Sequence, residues 1–211
     1  MNIPSKEFID HFKSIPGALS VTESIAISNI ASMAPKGGVW VEGGTHKGKS
    51  AASALYGGSP EDVHLIDTEF EKTISIEEVI SNVSKFINTK ASMAFIVGKF
   101  ADYLKGSTYK YSFVFSDAGL HDDEVLEEVK LLEDKLIAGG IICFHDFRNQ
   151  FTAVERAYNY LLSTGRFEEI IIDWEPIIKY VRENNLEEGN TSWHIYSENP
   201  FPNFVGALRR K

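Results

Sequence analysis

The chain has 211 residues, of which 43% are hydrophobic, 12% aromatic and 24% charged, as in a folded globular protein. The single cysteine, Cys143, cannot form a disulfide within the chain, which argues against a disulfide-built secreted scaffold and favours a reducing, cytoplasmic location. A net charge of -9, with no dense tract of lysine or arginine, lacks the attraction that nucleic acids and anionic membranes require. No stretch approaches the roughly 18 apolar residues of a membrane span, so the expected partner is a small molecule.

Helical and extended patterns alternate along most of the chain. Apolar periodicity predicts two helices near the start, Ser5–Phe12 and Thr22–Met33, and the spacing Ser20-Val-Thr-Glu23 is that of a capping box. Short apolar runs then predict strands at Val39–Val41, Val63–Ile66, Ala94–Val97, Tyr111–Phe115, Ile141–Phe144, Glu169–Ile172 and Trp193–Tyr196. The helices predicted between them are Gly48–Tyr56, Ile74–Ile87, Phe100–Leu104, Asp122–Leu136 and Thr152–Leu162.

This alternation predicts an α/β fold: a doubly wound, Rossmann-like sheet of seven mostly parallel strands, preceded by N-terminal helices. The last strand is expected to be antiparallel, and ligands to bind at the carboxyl ends of the first strands. Residues 173–190 are expected either to line or cover a ligand site or to form a surface helix over Ile177–Asn184. Residues 201–211 are expected to dock either on the sheet or on a neighbouring subunit of a homo-oligomer.

The glycine-rich turn after the first strand has two interpretations. From Gly43 to Ser50 it reads GGTHKGKS, which satisfies the phosphate-binding P-loop pattern G-x-x-x-x-G-K-[ST]. Asp117, at the end of a later strand, would then help to hold magnesium. This interpretation predicts a nucleotide-binding kinase or NTPase.

From Glu42 the same residues read E-x-G-x-x-x-G-x-S, which resembles the first motif of class I S-adenosylmethionine-dependent methyltransferases. A carboxylate beside the turn repels a triphosphate, whereas it attracts the ammonium and sulfonium groups of S-adenosylmethionine. The expected ring of strand-end acids comprises Glu42, Asp67, Asp117 and Asp146, partly offset by Lys47 and Lys49. Electrostatics therefore favours the methyltransferase interpretation over the P-loop.

The resemblance covers residues 38–147 and includes three further segments, Val97–Leu104, Phe113–His121 and Gly139–Asp146. The chain is most similar to the small-molecule sugar and macrolide O-methyltransferases and their cephalosporin-hydroxylase-like relatives. The resemblance implies one methyltransferase domain over residues 1–211, with a helical extension (1–36), a cofactor-binding core (37–147) and C-terminal helices and antiparallel strands (148–211). The implied cofactor is S-adenosylmethionine, with Asp67 on the ribose and Phe100 and Asp102 near adenine. The full set of residues that the resemblance implies for cofactor binding is Glu42, Gly44, Gly48, Ser50, Asp67, Phe100 and Asp102.

By the same resemblance, Asp117, His145 and Asp146 would hold a divalent metal that assists methylation of a small-molecule hydroxyl. Oxygen ligands suit Mg²⁺, whereas the imidazole of His145 shifts the preference towards manganese, iron or zinc, and a site without metal stays open. Gly119 stands where the sugar enzymes carry an acidic base, so the implied catalytic residues are Asp117 and, as the substitute base, His121. His121 alternatively begins the next helix, and a cofactor-binding homologue without activity is a further alternative.

Overall fold

The computed structural model describes residues 2–87, 91–119, 122–147, 152–186 and 205–211. The strands are β1 (Val39–Gly43), β2 (Asp62–Asp67), β3 (Ser92–Val97), β4 (Tyr111–Ser116), β5 (Leu136–Phe144), β6 (Phe167–Glu169) and β7 (Gly206–Arg210). The helices are α1 (Lys6–Ser14), α2 (Val21–Ala31), α3 (Lys49–Gly57), α4 (Ile76–Val83), α5 (Phe100–Gly106), α6 (Asp122–Glu133), α7 (Thr152–Ser163) and α8 (Trp174–Glu183). Within these described ranges, no helix has both the length and the apolar character that crossing a membrane demands.

The strands form one sheet in the order β3-β2-β1-β4-β5-β7-β6, in which β7 is antiparallel to both of its neighbours and the other pairs are parallel. This arrangement confirms the predicted doubly wound, seven-stranded α/β fold. The strand order reverses direction between β1 and β4, where Gly43 lies in register with Ser116. Such a reversal opens a crevice at the carboxyl ends of the strands, which is where ligands bind in this kind of sheet.

Both faces of the central strands are buried because their residues alternate between two hydrophobic layers. On one face, Trp40 and Phe113 pack with α1, α2 and α3. On the other face, Val41 and Val114 pack with α5, α6 and α7. Burial on both faces explains why β1 and β4 consist mainly of apolar residues.

Helix α2 is buried on nearly all sides, although it belongs to the segment predicted as an extension. Its N-terminus has the predicted capping box, in which Ser20 and Glu23 satisfy each other's backbone amides. Small residues bring α2 and α3 close together: Ser24 and Ser53 share a hydrogen bond of 2.8 Å, and a Cβ on Gly57 would lie 1.9 Å from a backbone carbonyl. The α2 helix is therefore part of the layer that covers the sheet.

Several predicted boundaries are wrong. Leu136, predicted as the end of a helix, begins β5 and pairs with Tyr111, while α6 ends at Glu133. The helix predicted over Ile74–Ile87 is shorter, because α4 begins at Ile76 and ends at Val83. In each case tertiary pairing or a cap, rather than apolar periodicity, sets the end.

The C-terminal region differs most from expectation. The strand predicted at Glu169–Ile172 lies earlier, at Phe167–Glu169, because its partner on β7 is Leu208–Arg210. Residues 206–210 enter the sheet between β5 and β6, so the tail docks on the sheet. Helix α8 corresponds to the predicted surface helix, with Ile177 buried against the core. The predicted strand Trp193–Tyr196 lies outside the described residues.

Candidate active site

Backbone hydrogen bonds connect the carboxyl ends of the central strands. The amide of Asp117 donates to the carbonyl of Gly43 (3.0 Å), and the amide of His145 donates to the carbonyl of Ser116 (3.2 Å). On the other side, the amide of Gly44 donates to the carbonyl of Ile66 (2.9 Å). The residues that follow four neighbouring strands are thus held at one rim of the sheet.

The glycine turn after β1 depends on residues without a side chain. Gly44 and Gly48 have φ angles of +82° and +81°, which side chains disfavour. A Cβ on Gly44 would lie 2.4 Å from the carbonyl oxygen of Asp117, and one on Gly48 would lie 2.9 Å from Val83. The turn therefore packs tightly against the end of β4 on one side and against α4 on the other.

Asp67, at the end of β2, anchors this turn through its carboxylate. One oxygen accepts the amide of His46 (2.7 Å), and the other accepts the amide of Glu69 (2.8 Å). Each carboxylate oxygen has a further lone pair, so both can still accept from a ligand. The side chain is partly exposed, and this position and chemistry fit the proposed contact with a ribose diol.

Glu42 is buried at the end of β1, where Ser50 of α3 donates a hydrogen bond to its carboxylate. Burial raises the pKa of Glu42 well above its ordinary value, and the negative charges of Asp117 and Asp67 act in the same direction. Its surroundings include a cavity of about 20 Å³ with mainly apolar walls. These effects favour the neutral form of Glu42, and a cation bound beside it would favour the ionised form.

The two lysines of the glycine turn contact other parts of the protein. Lys49 donates to the carbonyl of Gly17 (3.3 Å) and lies 4.4 Å from the centre of the Phe12 ring. Lys47 pairs with Glu78 of α4 at 2.9 Å. In a P-loop the lysine that corresponds to Lys49 reaches the phosphates, so this geometry contradicts the P-loop interpretation.

Phe100 and Asp102, the residues implied to lie near adenine, have different positions on α5. The Phe100 ring is buried directly beneath Gly43, where a Cβ on the glycine would lie 2.4 Å from the ring. Asp102 is exposed and lies 3.7 Å from Lys105 of the same helix. Phe100 thus supports the end of β1, and the assignment of both residues to adenine stays a prediction.

A second cluster lies at the ends of β4 and β5. Asp117, His145 and Asp146 each offer one ligand atom, and these atoms all lie within 4.8 Å of one another. His145 Nδ1 is 3.2 Å from Asp117 Oδ1 and 3.8 Å from Asp146 Oδ1. The structure therefore brings the three predicted metal ligands together, and two carboxylates with one imidazole suit Mn²⁺ or Fe²⁺ as well as Mg²⁺.

The other ring nitrogen of His145 faces a buried acid that the sequence did not assign to the site. His145 Nε2 lies 3.6 Å from Glu23 Oε1, and the Glu23 side chain is only 1% exposed. Burial alone would lower the pKa of His145, but the charges of Asp117 and Glu23 outweigh it and raise this pKa well above its ordinary value. Burial likewise works to raise the pKa of Glu23, yet His145 and Ser20 hold it below its ordinary value.

Two further polar residues at the rim were not found by sequence reasoning. The hydroxyl of Thr45, in the glycine turn, is buried and has no hydrogen-bond partner within the described ranges, which fits a ligand at this turn. Glu128 of α6 is buried, and burial raises its pKa to about 7 while Ser116 donates to it at 3.4 Å. His121, the proposed base, lies outside the described residues, so its role stays a prediction.

Comparison with known proteins identifies the family of the chain. Residues 41–147, which are 107 of the 211 residues, match a family model described as a methyltransferase domain. No curated protein sequence matches the chain.

Three solved structures illustrate the similarity of fold. The TDP-rhamnose 3'-O-methyltransferase CalS11 of calicheamicin biosynthesis is 11% identical, with a TM-score of 0.58 over 99% of this chain and 88% of its own. An O-methyltransferase from Bacillus cereus, solved with S-adenosylhomocysteine, is 16% identical, with a TM-score of 0.58 over 80% and 84%. An rRNA methylase from Streptococcus thermophilus is 13% identical, with a TM-score of 0.58 over 92% and 99%. At these identities the similarity is one of fold.

Proposed function

The chain belongs to the methyltransferase-domain family that its residues 41–147 match, and from that premise we propose that it transfers the methyl group of S-adenosylmethionine to a hydroxyl of a small molecule. The observation that carries the proposal is the charge at the rim. Asp67 and Asp117 bring negative charge to the ends of β2 and β4 and act on buried Glu42 beside the glycine turn, whereas Lys49 bonds to Gly17. Such a site attracts a sulfonium and an ammonium group and repels a triphosphate.

The cofactor half of the site consists of the glycine turn and the end of β2. Gly44 and Gly48 give the turn its positive φ angles, and Asp67 can accept hydrogen bonds from two ribose hydroxyls. The orphaned hydroxyl of Thr45 is a further polar group for this ligand.

The acceptor half consists of Asp117, His145 and Asp146. A divalent metal held there would bind acceptor oxygens and lower the pKa of the hydroxyl to be methylated. These three residues would fix the acceptor beside the glycine turn, because the amide of Asp117 bonds to the carbonyl of Gly43. Close, aligned positioning of this kind is a large part of the rate gain in a bimolecular transfer.

In the transfer, an O–C bond forms between the acceptor oxygen and the methyl carbon as the S–C bond breaks. The sulfonium becomes the neutral thioether of S-adenosylhomocysteine, and the hydroxyl proton passes to a base. We assign that role to Asp117 or to His121, which follows β4 closely in the chain.

A small-molecule acceptor is supported by the charge of the chain and by one neighbour in fold. CalS11 is described as an enzyme that methylates a nucleotide-linked sugar. The fold also occurs in rRNA methylases, but a net charge of -9 opposes the phosphate contacts on which RNA binding depends. A hydroxylated small molecule, such as a sugar, is therefore the acceptor class we propose.

Calorimetry with S-adenosylmethionine, S-adenosylhomocysteine and ATP tests the cofactor assignment before any acceptor is known. We expect binding of the first two ligands and none of ATP. Tight ATP binding without S-adenosylmethionine binding would overturn the proposal.

A panel of hydroxylated small molecules and an rRNA fragment then tests the acceptor class, with S-adenosylhomocysteine release as the readout. Activity on the panel that EDTA abolishes and Mn²⁺ or Mg²⁺ restores supports metal assistance. If activity survives both EDTA and Asp117→Asn but is lost in His121→Ala, the metal has no role and the histidine acts as the base. Methylation of the rRNA fragment alone would overturn the small-molecule assignment.

A further inference from the structure

Glu23 uses its two carboxylate oxygens for two different purposes. Oε2 accepts hydrogen bonds from the amide (2.9 Å) and the hydroxyl (2.8 Å) of Ser20, which completes the capping box of α2. Oε1 faces Nε2 of His145 at 3.6 Å, across 122 residues of sequence. The side chain is 1% exposed, so water does not compete for it.

The ring of His145 lies between carboxylates on both sides. Nε2 faces Glu23, whereas Nδ1 faces the gap between Asp117 and Asp146. A neutral imidazole carries its proton on one nitrogen and a lone pair on the other. With a metal ion in the gap, Asp117 and Asp146 would bind the metal instead of the ring, and Glu23 is then the carboxylate that keeps the proton on Nε2 and leaves the lone pair of Nδ1 directed at the gap.

We propose that Glu23 is the positioning residue of the acceptor half: it fixes the Nε2–H tautomer and the ring orientation of His145, so that Nδ1 serves as a ligand for a divalent metal. This inference rests on the metal-assisted version of the proposed function. It makes the N-terminal helix α2 part of the acceptor half, because Glu23 belongs to α2. Glu23 lies about 120 residues before the ligands at the end of β5. Carboxylates that orient metal-binding histidines typically contribute about 10- to 100-fold to metal affinity.

The chemistry of a capping box allows the positioning role of Glu23 to be separated from its structural role as a helix cap. A capping box functions with glutamine as well as with glutamate, because the cap needs a single acceptor oxygen. Glutamine has one carbonyl oxygen, and with that oxygen on Ser20 its NH₂ group would face the N–H of His145. Two donors cannot bond to each other, so Glu23→Gln keeps the cap and removes the contact with the histidine.

The test compares wild type, Glu23→Gln and Ser20→Ala in Mn²⁺ calorimetry, in thermal unfolding and in pulsed EPR of bound Mn²⁺. For Glu23→Gln we expect Mn²⁺ affinity about 10- to 100-fold lower and a weaker or absent ¹⁴N coupling from imidazole. Ser20→Ala is the matched control, because it damages the same cap while retaining the carboxylate. It should lower the melting temperature and leave Mn²⁺ affinity and the ¹⁴N coupling as in wild type.

A measurement on wild type alone provides a second arm that does not depend on how the variants fold. The ¹⁵N spectrum of the histidines in Mg²⁺ should show His145 as the Nε2–H tautomer. The opposite tautomer, a wild type that binds no Mn²⁺, or a Glu23→Gln variant that binds Mn²⁺ with unchanged affinity and coupling would each overturn the inference. S-adenosylmethionine calorimetry on the same samples distinguishes this failure from that of the cofactor assignment, which falls only if the cofactor does not bind.

Discussion

The two halves of the site are built by different means. The cofactor half is shaped mainly by the backbone, through glycines at positive φ and amides that donate hydrogen bonds to Asp67. In the acceptor half the side chains of two strand ends meet, and a buried acid from α2 completes the cluster. The first half comes from one short stretch of the chain, from the end of β1 to the end of β2, whereas the second depends on contacts between distant parts of the chain.

Gly44 joins the two halves, because its missing Cβ leaves room for the carbonyl of Asp117. Gly44→Ala should weaken binding of both S-adenosylmethionine and Mn²⁺ by about a hundredfold, since positive φ strains alanine and the backbone of Asp117 must move. Calorimetry with each ligand measures the two effects. The control is Gly37→Ala, which has a similar φ of +80° and open space around its Cβ. Loss of one ligand without the other would show that the halves are independent.

The next largest effects should separate the halves. Asp67→Ala should weaken S-adenosylmethionine binding at least about tenfold, because two hydrogen bonds to a charged acceptor are lost, and should leave Mn²⁺ binding unchanged. Asp117→Asn should weaken Mn²⁺ binding by more than it weakens S-adenosylmethionine binding, which loses only the attraction of one charge. Isothermal titration of both variants with both ligands provides the readout, and Asp62→Ala, at the opposite end of β2, serves as the control. Equal losses of both ligands in Asp67→Ala would contradict the division.

A stability effect of intermediate size is expected from Glu128, below the end of β4. Burial raises its pKa to about 7, so between pH 4.5 and 7 the folded state keeps a proton that the unfolded state releases. Stability therefore falls as pH rises through this window. Glu128→Gln should raise the free energy of unfolding at pH 8 by about 2 kcal/mol. It should also reduce the loss of stability as the pH rises through this window.

Urea unfolding at pH 5 and pH 8 measures this effect. Glu127→Gln is the matched control, because Glu127 is an exposed neighbour on α6 that pairs with Lys105. It should leave the pH dependence unchanged. A Glu128→Gln variant with the wild-type pH dependence would show that Glu128 is ionised in the folded protein.

The smallest effect on binding should come from Lys49. Lys49→Met retains the buried apolar stem, so S-adenosylmethionine affinity should stay within about twofold of wild type. Stability should fall by about 1 kcal/mol, because the bond to Gly17 and the contact with Phe12 are lost. Calorimetry and thermal unfolding check the two expectations. A tenfold loss of ligand affinity would place this lysine in the cofactor half after all.

The same contrast explains what the sequence could predict. The glycine turn, Asp67 and Asp117 were found because each comes within a few residues of the end of an apolar run of strand type. The partnership of Glu23 with His145 could not be found, because the capping box already accounts for a glutamate at that position and no local pattern links the two residues. The direction of Lys49 depends on how α3 packs against α1, which periodicity does not report.

The C-terminal strand was missed for a related reason. The segment Gly206–Arg210 contains two arginines and few large apolar residues, so its pattern alone does not indicate a strand. Pairing with β5 and β6 on both sides makes it extended. Tertiary context decides the conformation of such a segment, and one sequence contains little of that context.

The position of β7 also has a consequence for biosynthesis. Strand β5 is complete when residue 144 has been made, but the strand that pairs with its outer edge begins at residue 206. At about 5–20 residues per second, a ribosome needs roughly 3–12 s for that interval. During this time the nascent chain presents an unpaired, apolar β-edge, which is a template for aggregation. We therefore expect the growing chain to need a chaperone at this stage, and products that stop before residue 206 to precipitate.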